Sequence, residues 1–188
     1  MRNKISILVL AISLVIAFTE VSAQTTTFSD VNAPYTFDLP NGSWRLTARP
    51  SEMNTNVEYV FIERQSGHLE IRKLGTRSGM KIADVIAEEE EKLKFLQGYV
   101  AGKQESFAGN FRGMVFNYEF VRSGRNMSGR FYFLATGPDS FYVLRFTGLT
   151  DSLRTIRNQT DSIARTFELK RSEEHTSELQ SPCNLVCR

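Results

Sequence analysis

The sequence predicts an α+β domain in which a central antiparallel sheet of about six to eight strands carries two main helices. Residues 111–147 contain three runs of β-branched and aromatic residues separated by polar or turn-forming segments, which predicts a three-stranded antiparallel meander. Residues 80–98 and 151–170 each repeat apolar side chains at intervals of three and four, as amphipathic helices do. Alternating runs within residues 35–48 and 57–76 predict further strands ahead of the first helix.

The meander is the most aromatic part of the chain and is expected to form the core. Eight of the 14 phenylalanines lie between Phe107 and Phe146. In the first run, the even-numbered residues from Met114 to Phe120 share one face, whereas Val115 and Val121 lie on the other. Because apolar residues occupy both faces, the sheet must be covered on at least part of each side.

The first 23 residues are expected to be a secretory signal peptide. Arg2 and Lys4 precede an apolar run at residues 5–18, and small residues then prepare a cleavage position after Ala23. A bilayer-spanning helix needs about 20 apolar residues, so a retained membrane anchor is the less favoured alternative. No cysteine follows the apolar run, which argues against a lipoprotein anchor. We therefore expect export to a periplasm or to the cell exterior, without stable membrane insertion after cleavage.

The composition changes abruptly after Lys170, where the chain continues as RSEEHTSELQSPCNLVCR. This segment has no hydrophobic period, and its beginning resembles a translated sequencing-library adapter. We expect residues 171–188 to be a disordered artefact, a genuine disordered tail being the alternative. Both cysteines, Cys183 and Cys187, and one of the two histidines, His175, belong to this segment.

Residues 24–170 are then predicted to form a single domain, which is long enough to bury about two thirds of its unfolded surface. This stretch contains no cysteine, so the domain must be held by its core without a disulfide. Its 19 Lys and Arg oppose 17 Asp and Glu, and the charges alternate in sign without a basic block. The composition therefore argues against nucleic acid as a partner.

The first strands are predicted around a Pro-Asn-Gly-Ser turn. Residues 24–32 are small and polar and predict a loose N-terminal segment, in which replacement of Phe28 should have little effect. Residues 35–39 and 44–48 alternate on either side of the turn, which favours a hairpin. Trp44 is the only tryptophan, and we expect it to fill the core.

A second hairpin is predicted from residues 57–64 and 68–76, joined by a short polar link. The second of these strands is only thinly apolar, which suits a sheet edge or a half-exposed position. His68 follows Gly67 in the predicted turn. A solvent-exposed turn histidine is expected there, in preference to a catalytic or ligand-binding one.

The helix predicted at residues 80–98 contains four consecutive glutamates, Glu88–Glu91. On a helix these side chains spread around the circumference, whereas metal ligands must converge on one point. We therefore interpret them as a solvated face paired with Lys92 and Lys94.

Residues 24–170 lack the usual sets of catalytic or metal-binding side chains, since they contain one histidine and no cysteine. Glu119, between Tyr118 and Phe120, is the one carboxylate that strand geometry could bury. Pairing with Arg130 or Arg145 is expected there in preference to catalysis. We therefore assign no catalytic, cofactor-binding or metal-binding residue, and we expect no cofactor.

The opening pattern YTFDLPNGSWRL, the mid-chain helix, the aromatic meander and the closing ARTFEL resemble the PsbP-like family. The resemblance covers nearly all of residues 33–169. This group includes the extrinsic photosystem subunit PsbP and the DcrB-type exported proteins, and it shares its fold with a Ran-binding nuclear transport factor. The resemblance implies a PsbP-like α/β/α sandwich with a non-enzymatic accessory or binding role. It rests on spacing and aromatic placement, so no functional residue is carried over.

Three functional hypotheses remain open. The leading one is a non-enzymatic exported accessory or binding protein that binds an unknown protein partner through its sheet or helix surface. The alternative is a carrier of a small apolar ligand, which an internal cavity of several hundred Å³ would favour. The third is an enzyme of unknown type, which would gain support if His68 lay in a cleft beside two carboxylates.

Overall fold

The structure is a computed structural model that describes residues 25–40, 42–77 and 79–171. The predicted signal peptide and residues 172–188 of the predicted tail, with Cys183, Cys187 and His175, lie outside the described residues. Those assignments stay predictions.

The described residues form ten strands and three helices. The strands are β1 (Thr25–Ser29), β2 (Tyr35–Pro40), β3 (Trp44–Ala48), β4 (Val57–Phe61), β5 (His68–Gly75), β6 (Val100–Ala108), β7 (Arg112–Arg122), β8 (Arg125–Gly137), β9 (Ser140–Leu149) and β10 (Glu168–Leu169). The helices are α1 (Ile82–Leu93), α2 (Thr150–Thr155) and α3 (Arg157–Thr166).

Seven strands build the main sheet in the order β3-β4-β5-β9-β8-β7-β6, and every neighbouring pair is antiparallel. The predicted meander is confirmed, because β7, β8 and β9 pair with one another in sequence. Strands β1, β2 and β10 form a separate small antiparallel sheet. The predicted α+β class with a central antiparallel sheet is confirmed.

Both faces of the main sheet are covered, as the meander pattern predicts. On one face, α1 packs against a cluster of aromatic side chains that includes Phe116, Tyr118, Phe120, Phe131 and Phe133. On the other face, α2, α3 and the small sheet cover a second cluster that includes Val115, Tyr132, Leu134, Leu144 and Phe146. The even and odd residues of β7 therefore enter different cores, as strand alternation requires.

The N-terminal segment is a strand, so the prediction of a loose segment is wrong. Strand β1 pairs with β2 along its whole length. Phe28 is buried, and its ring stacks on Phe37 with 4.8 Å between the centroids. The strand was not recognised in the sequence because Phe28 is its only large apolar residue, and a single residue cannot show the alternation that identifies a strand.

The first predicted hairpin is also wrong, because its two strands lie in different sheets. Strand β2 pairs with β1 and β10, whereas β3 pairs with β4. Alternation identifies the buried face of a strand, but it does not identify the neighbouring strand. The expectation for Trp44 is confirmed, since it is buried and its Nε1 donates to Gln159 Oε1 at 3.0 Å.

The second predicted hairpin is confirmed by the pairing of β4 with β5. The edge position proposed for its second strand is wrong, because β5 lies between β4 and β9. The half-exposed alternative agrees with the structure, since burial alternates towards the end of β5.

The closing helix predicted at residues 151–170 is divided. Helix α2 ends before Ile156, where the backbone turns to φ −94° and ψ 12°, and α3 then follows. Helix α3 ends at Thr166, and residues 168–169 form strand β10, which pairs with β2. The first helix is likewise shorter than the predicted 80–98. A periodic apolar stripe continues through such breaks, so the sequence pattern alone does not reveal them.

Candidate functional site

A groove of about 480 Å³ opens on the α1 side of the main sheet, beside the turn that follows α1. Its lining combines charged side chains with apolar ones. The charged residues are Glu58, Arg64, His68, Glu70, Arg122 and Arg145, and the apolar ones include Leu96, Phe120 and Met127. We call this site the His68 groove.

Strand pairing brings the charges of the His68 groove together. Glu58 of β4 is opposite Glu70 of β5, and Glu70 is in turn opposite Arg145 of β9. His68 is opposite Thr147 in the same β5–β9 ladder. Since side chains alternate along a strand, these residues share one face, and the apolar Leu69 points to the other core.

His68 is buried in this groove, so the prediction of an exposed turn histidine is wrong. It is the first residue of β5, and its Nε2 lies 2.8 Å from Glu58 Oε2. Arg64 Nη1 lies 3.6 Å from the same carboxylate oxygen. With Glu58 and Glu70 both in the lining, His68 lies in a cleft beside two carboxylates, which is the arrangement that would favour the enzyme hypothesis.

Arg145 is held in the groove by three contacts. Its Nε donates to Tyr118 Oη at 3.1 Å, and its Nη1 lies 3.9 Å from Glu70 Oε2. Its guanidinium also lies over the Phe131 ring, 5.2 Å from the centroid. Burial raises the pKa of Tyr118, so the hydroxyl stays protonated beside the cation.

The role predicted for Glu119 is wrong. Glu119 is exposed. Its neighbours in β7, Tyr118 and Phe120, are buried on one face of the sheet, so the side chain of Glu119 projects from the other face, where solvent reaches it. Arg145 pairs instead with Glu70. Arg130 pairs with Asp161 of α3, at 2.9 Å between Nη2 and Oδ1.

Arg130 belongs to a buried polar network on the other face of the sheet. Its Nη1 donates to Asn117 Oδ1 at 2.8 Å, and its Nε donates to Tyr132 Oη at 2.7 Å. The Tyr132 hydroxyl also bonds to Asp161 and lies 2.9 Å from Thr160 Oγ1. Burial raises the pKa of Tyr132. The network ties α3 to β7 and β8, and its groups partner one another, so its role is structural.

The glutamate run on α1 is mostly a solvated face, with one exception. Glu89 is buried and bonds to Arg72 of β5, and Lys92 Nζ lies 2.6 Å from its Oε1. The solvated-face interpretation is therefore wrong for Glu89.

Within residues 25–40, 42–77 and 79–171, no group of three or more His, Cys, Asp or Glu is placed to hold a metal ion. None of the described helices is long and apolar enough to cross a membrane.

Part of the groove could have been found from the sequence, although His68 was expected in an exposed turn. In the hairpin of β4 and β5, alternation and pairing place Glu58, His68 and Glu70 on one face, which accounts for their proximity. Arg145 could not be found this way. Its position depends on β9 lying beside β5. The two residues of every β5–β9 pair are 65 or more positions apart in the chain.

No protein-family model matches this chain, and no curated protein matches it in sequence. Solved structures do match. LpqN of Mycobacterium tuberculosis, described as involved in cell envelope biogenesis, has a TM-score of 0.52 and 18% identity over 79% of this chain and 91% of LpqN. The cyanobacterial PsbP of Synechocystis has a TM-score of 0.52 and 14% identity, over 78% of this chain and 93% of that one.

The fold is PsbP-like. A protein of Bacteroides thetaiotaomicron is similar as well, with a TM-score of 0.53 and 14% identity over 80% of this chain and 50% of that one. Identities this low show the PsbP-like fold, and they do not by themselves assign a function. The predicted links to DcrB-type proteins and to a Ran-binding factor stay predictions, as does the adapter origin of the tail.

Proposed function

We propose that this protein is a non-enzymatic exported accessory protein that binds a partner protein at the His68 groove. The observation that carries the proposal is the composition of this open groove, in which paired charges adjoin Leu96, Phe120 and Met127. Protein interfaces combine an apolar centre with a polar rim in this way.

One exposed apolar side chain next to the groove lining supports the same proposal. Phe95, next to Leu96, is 93% exposed. The turn that carries both residues is held against β7, because Val121 N–H donates to Gln97 O at 2.7 Å. A fully exposed phenylalanine on a fixed turn is a suitable anchor for a partner, since aromatic residues are enriched in interfaces.

Export is supported by two separate observations. The sequence predicts a signal peptide at residues 1–23. The domain also shares its fold with LpqN, which is described as involved in cell envelope biogenesis. The carrier hypothesis has less support, because the grooves formed by the described residues open to solvent and the two cores are filled with aromatic side chains.

Site-specific photo-crosslinking in intact cells tests the binding proposal. A photoreactive phenylalanine analogue at Phe95 should give a discrete adduct, and the added substitution Arg64→Glu should abolish it. The analogue at Met53 is a matched control, because Met53 is 99% exposed and lies in the β3–β4 connection, and it does not line the groove. Equal adducts at both positions, or an adduct unaffected by Arg64→Glu, would contradict the proposal.

A second candidate function is general acid–base catalysis by His68. The 2.8 Å contact between His68 Nε2 and Glu58 Oε2 supports it, since a carboxylate commonly orients a catalytic imidazole. Against it, Thr147 is the hydroxyl opposite His68, and among the described residues no hydrogen bond joins their side chains. The arrangement therefore has a base and an orienting group without an activated nucleophile.

Turnover assays with a panel of chromogenic esters, phosphoesters and glycosides test this second candidate. Turnover that is abolished by both His68→Gln and Glu58→Gln, with unchanged circular dichroism, would support catalysis. Turnover that survives His68→Gln would exclude His68 as the catalytic base, and turnover that survives Glu58→Gln would exclude Glu58 as a required orienting group.

A further inference from the structure

A second cleft, of about 440 Å³, adjoins the His68 groove at the end of the main sheet. The β4–β5 link and the β7–β8 turn form it. Its lining residues are Arg64, Gln65, Arg122, Ser123, Arg125 and Met127. We call this cleft the arginine pocket. Among the described residues, its lining holds three guanidinium groups and no carboxylate.

The register of β7 and β8 places two of these cations side by side. Arg122 is directly opposite Arg125, and the two residues between them, Ser123 at φ 51° and Gly124 at φ 71°, close the turn. Directly opposed residues project on the same face of a sheet, and like charges in such a pair repel. The arrangement therefore costs stability unless a negative charge enters between them.

The described part of the chain offers these cations little compensation. Neither Arg122 nor Arg125 has an ion pair there. Arg125 instead donates to Gln65 Oε1, which fixes the β4–β5 link beside the β7–β8 turn. Arg64 lies 3.6 Å from Glu58, but its side chain is 62% exposed, so its guanidinium can move towards an incoming anion.

Guanidinium groups favour oxyanions, because their planar fork donates two parallel hydrogen bonds to neighbouring oxygens. The three guanidinium groups, the Ser123 hydroxyl and the Gln65 amide can donate hydrogen bonds to a group with several oxygens, and Met127 forms an apolar wall. We propose that the arginine pocket binds a phosphoryl group. The inference rests on the proposed function in one respect, since the phosphoryl group would belong to the ligand or partner bound at this end of the sheet.

Calorimetric titration of residues 24–171 tests the inference at low ionic strength, where charges are least screened. The soluble probe is phenyl phosphate. The membrane probe is a phosphatidylcholine vesicle containing phosphatidylglycerol, with pure phosphatidylcholine as its blank. Phenyl phosphate binding would indicate a soluble phosphoester or a phosphorylated partner as the source, whereas binding to the anionic vesicle alone would indicate a lipid headgroup.

Arg122→Ala and Arg125→Ala should each weaken binding of the responsive probe about tenfold. Arg122→Lys keeps the charge without the fork and should weaken it less. Arg77→Ala is the control, because Arg77 is also exposed but follows the opposite end of β5, and it should bind as the parent does.

The inference is overturned if neither probe binds, or if Arg122→Ala and Arg125→Ala bind as the parent does. Its failure is separate from that of the proposed function. If phosphoryl binding is lost and the Phe95 adduct still forms, the partner-binding proposal is retained. If phosphoryl binding is present and the Phe95 adduct is absent, only the anion site is retained.

Discussion

Gly129 is a residue of the meander whose missing side chain leaves room for an aromatic ring of the core. A Cβ built there would lie 2.1 Å from Cζ of Tyr118, so the Tyr118 ring occupies the space of the missing side chain. The hydroxyl of that ring accepts from Arg145 in the His68 groove. A glycine inside a strand commonly marks such a close approach, and here it positions a residue of the site.

Gly129→Ala should therefore lower the free energy of unfolding by about 1 to 3 kcal/mol, because the ring or the backbone must move. Urea denaturation followed by fluorescence measures this change. Gly75→Ala is the control, since a Cβ at Gly75 has nothing within 4 Å. Equal stability of the two variants would show that Tyr118 is not packed on Gly129.

Among the elements, the meander carries the α1-side core. Phe116 of β7 and Phe133 of β8 are fully buried there. The sequence predicted their burial from their positions near the middle of apolar runs. Phe28 was expected to be dispensable, and that expectation is wrong because Phe28 is buried in the opposite core.

Phe116→Ala should lower the free energy of unfolding by about 3 to 5 kcal/mol, as loss of a fully buried phenylalanine does. Phe28→Ala should now also be destabilising. Phe95→Ala is the surface control, because Phe95 is 93% exposed. Chemical denaturation of the three variants checks this order. If Phe116→Ala unfolds no more easily than Phe95→Ala, the meander is not the core.

At the scale of the whole molecule, the small sheet joins the two ends of the domain. Strand β10 pairs with β2, and Lys170 N–H donates to Pro34 O at 2.9 Å. Phe167, just before β10, is fully buried. The folded domain therefore requires its chain up to about residue 170.

Removal of residues 172–188 should leave the melting temperature unchanged, because that segment has no periodic apolar face to pack. Truncation after Thr166 should lower it by more than about 5 °C, because Phe167 and β10 are lost. Scanning calorimetry compares the two truncations. A lower melting temperature of the chain ending at Arg171 would show that the tail docks on the domain.

Alkaline pH should destabilise the molecule through its buried tyrosines. Burial raises the pKa of Tyr59 to about 12, with Arg49 partly opposing the shift. The raised pKa stabilises the folded state below about pH 10, the ordinary pKa of tyrosine, and this contribution is lost as pH rises towards 12. The melting temperature should therefore fall from pH 9 to pH 12, and Tyr59→Phe should reduce this slope. An unchanged slope in that variant would exclude Tyr59 as a contributor.

Local sequence patterns are enough to predict the class of fold and much of its core. Alternation in β7 assigned Val115 and Phe116 to opposite faces, and the helical period located α1, because both patterns depend on local backbone geometry. Once β4 and β5 are paired, the same alternation places Glu58 and Glu70 on one face of the hairpin. These features follow from residues close together in the chain.

The neighbours of each strand depend on long-range packing, which local patterns do not specify. Long-range packing separates β2 from β3, places β5 beside β9 and makes residues 168–169 a strand. The His68 groove and the arginine pocket depend on these long-range pairings, since Arg145 meets Glu70 and Arg125 meets Gln65 only across them. The physical reason is that an apolar face can be buried against any complementary layer, so its period specifies burial without specifying the partner.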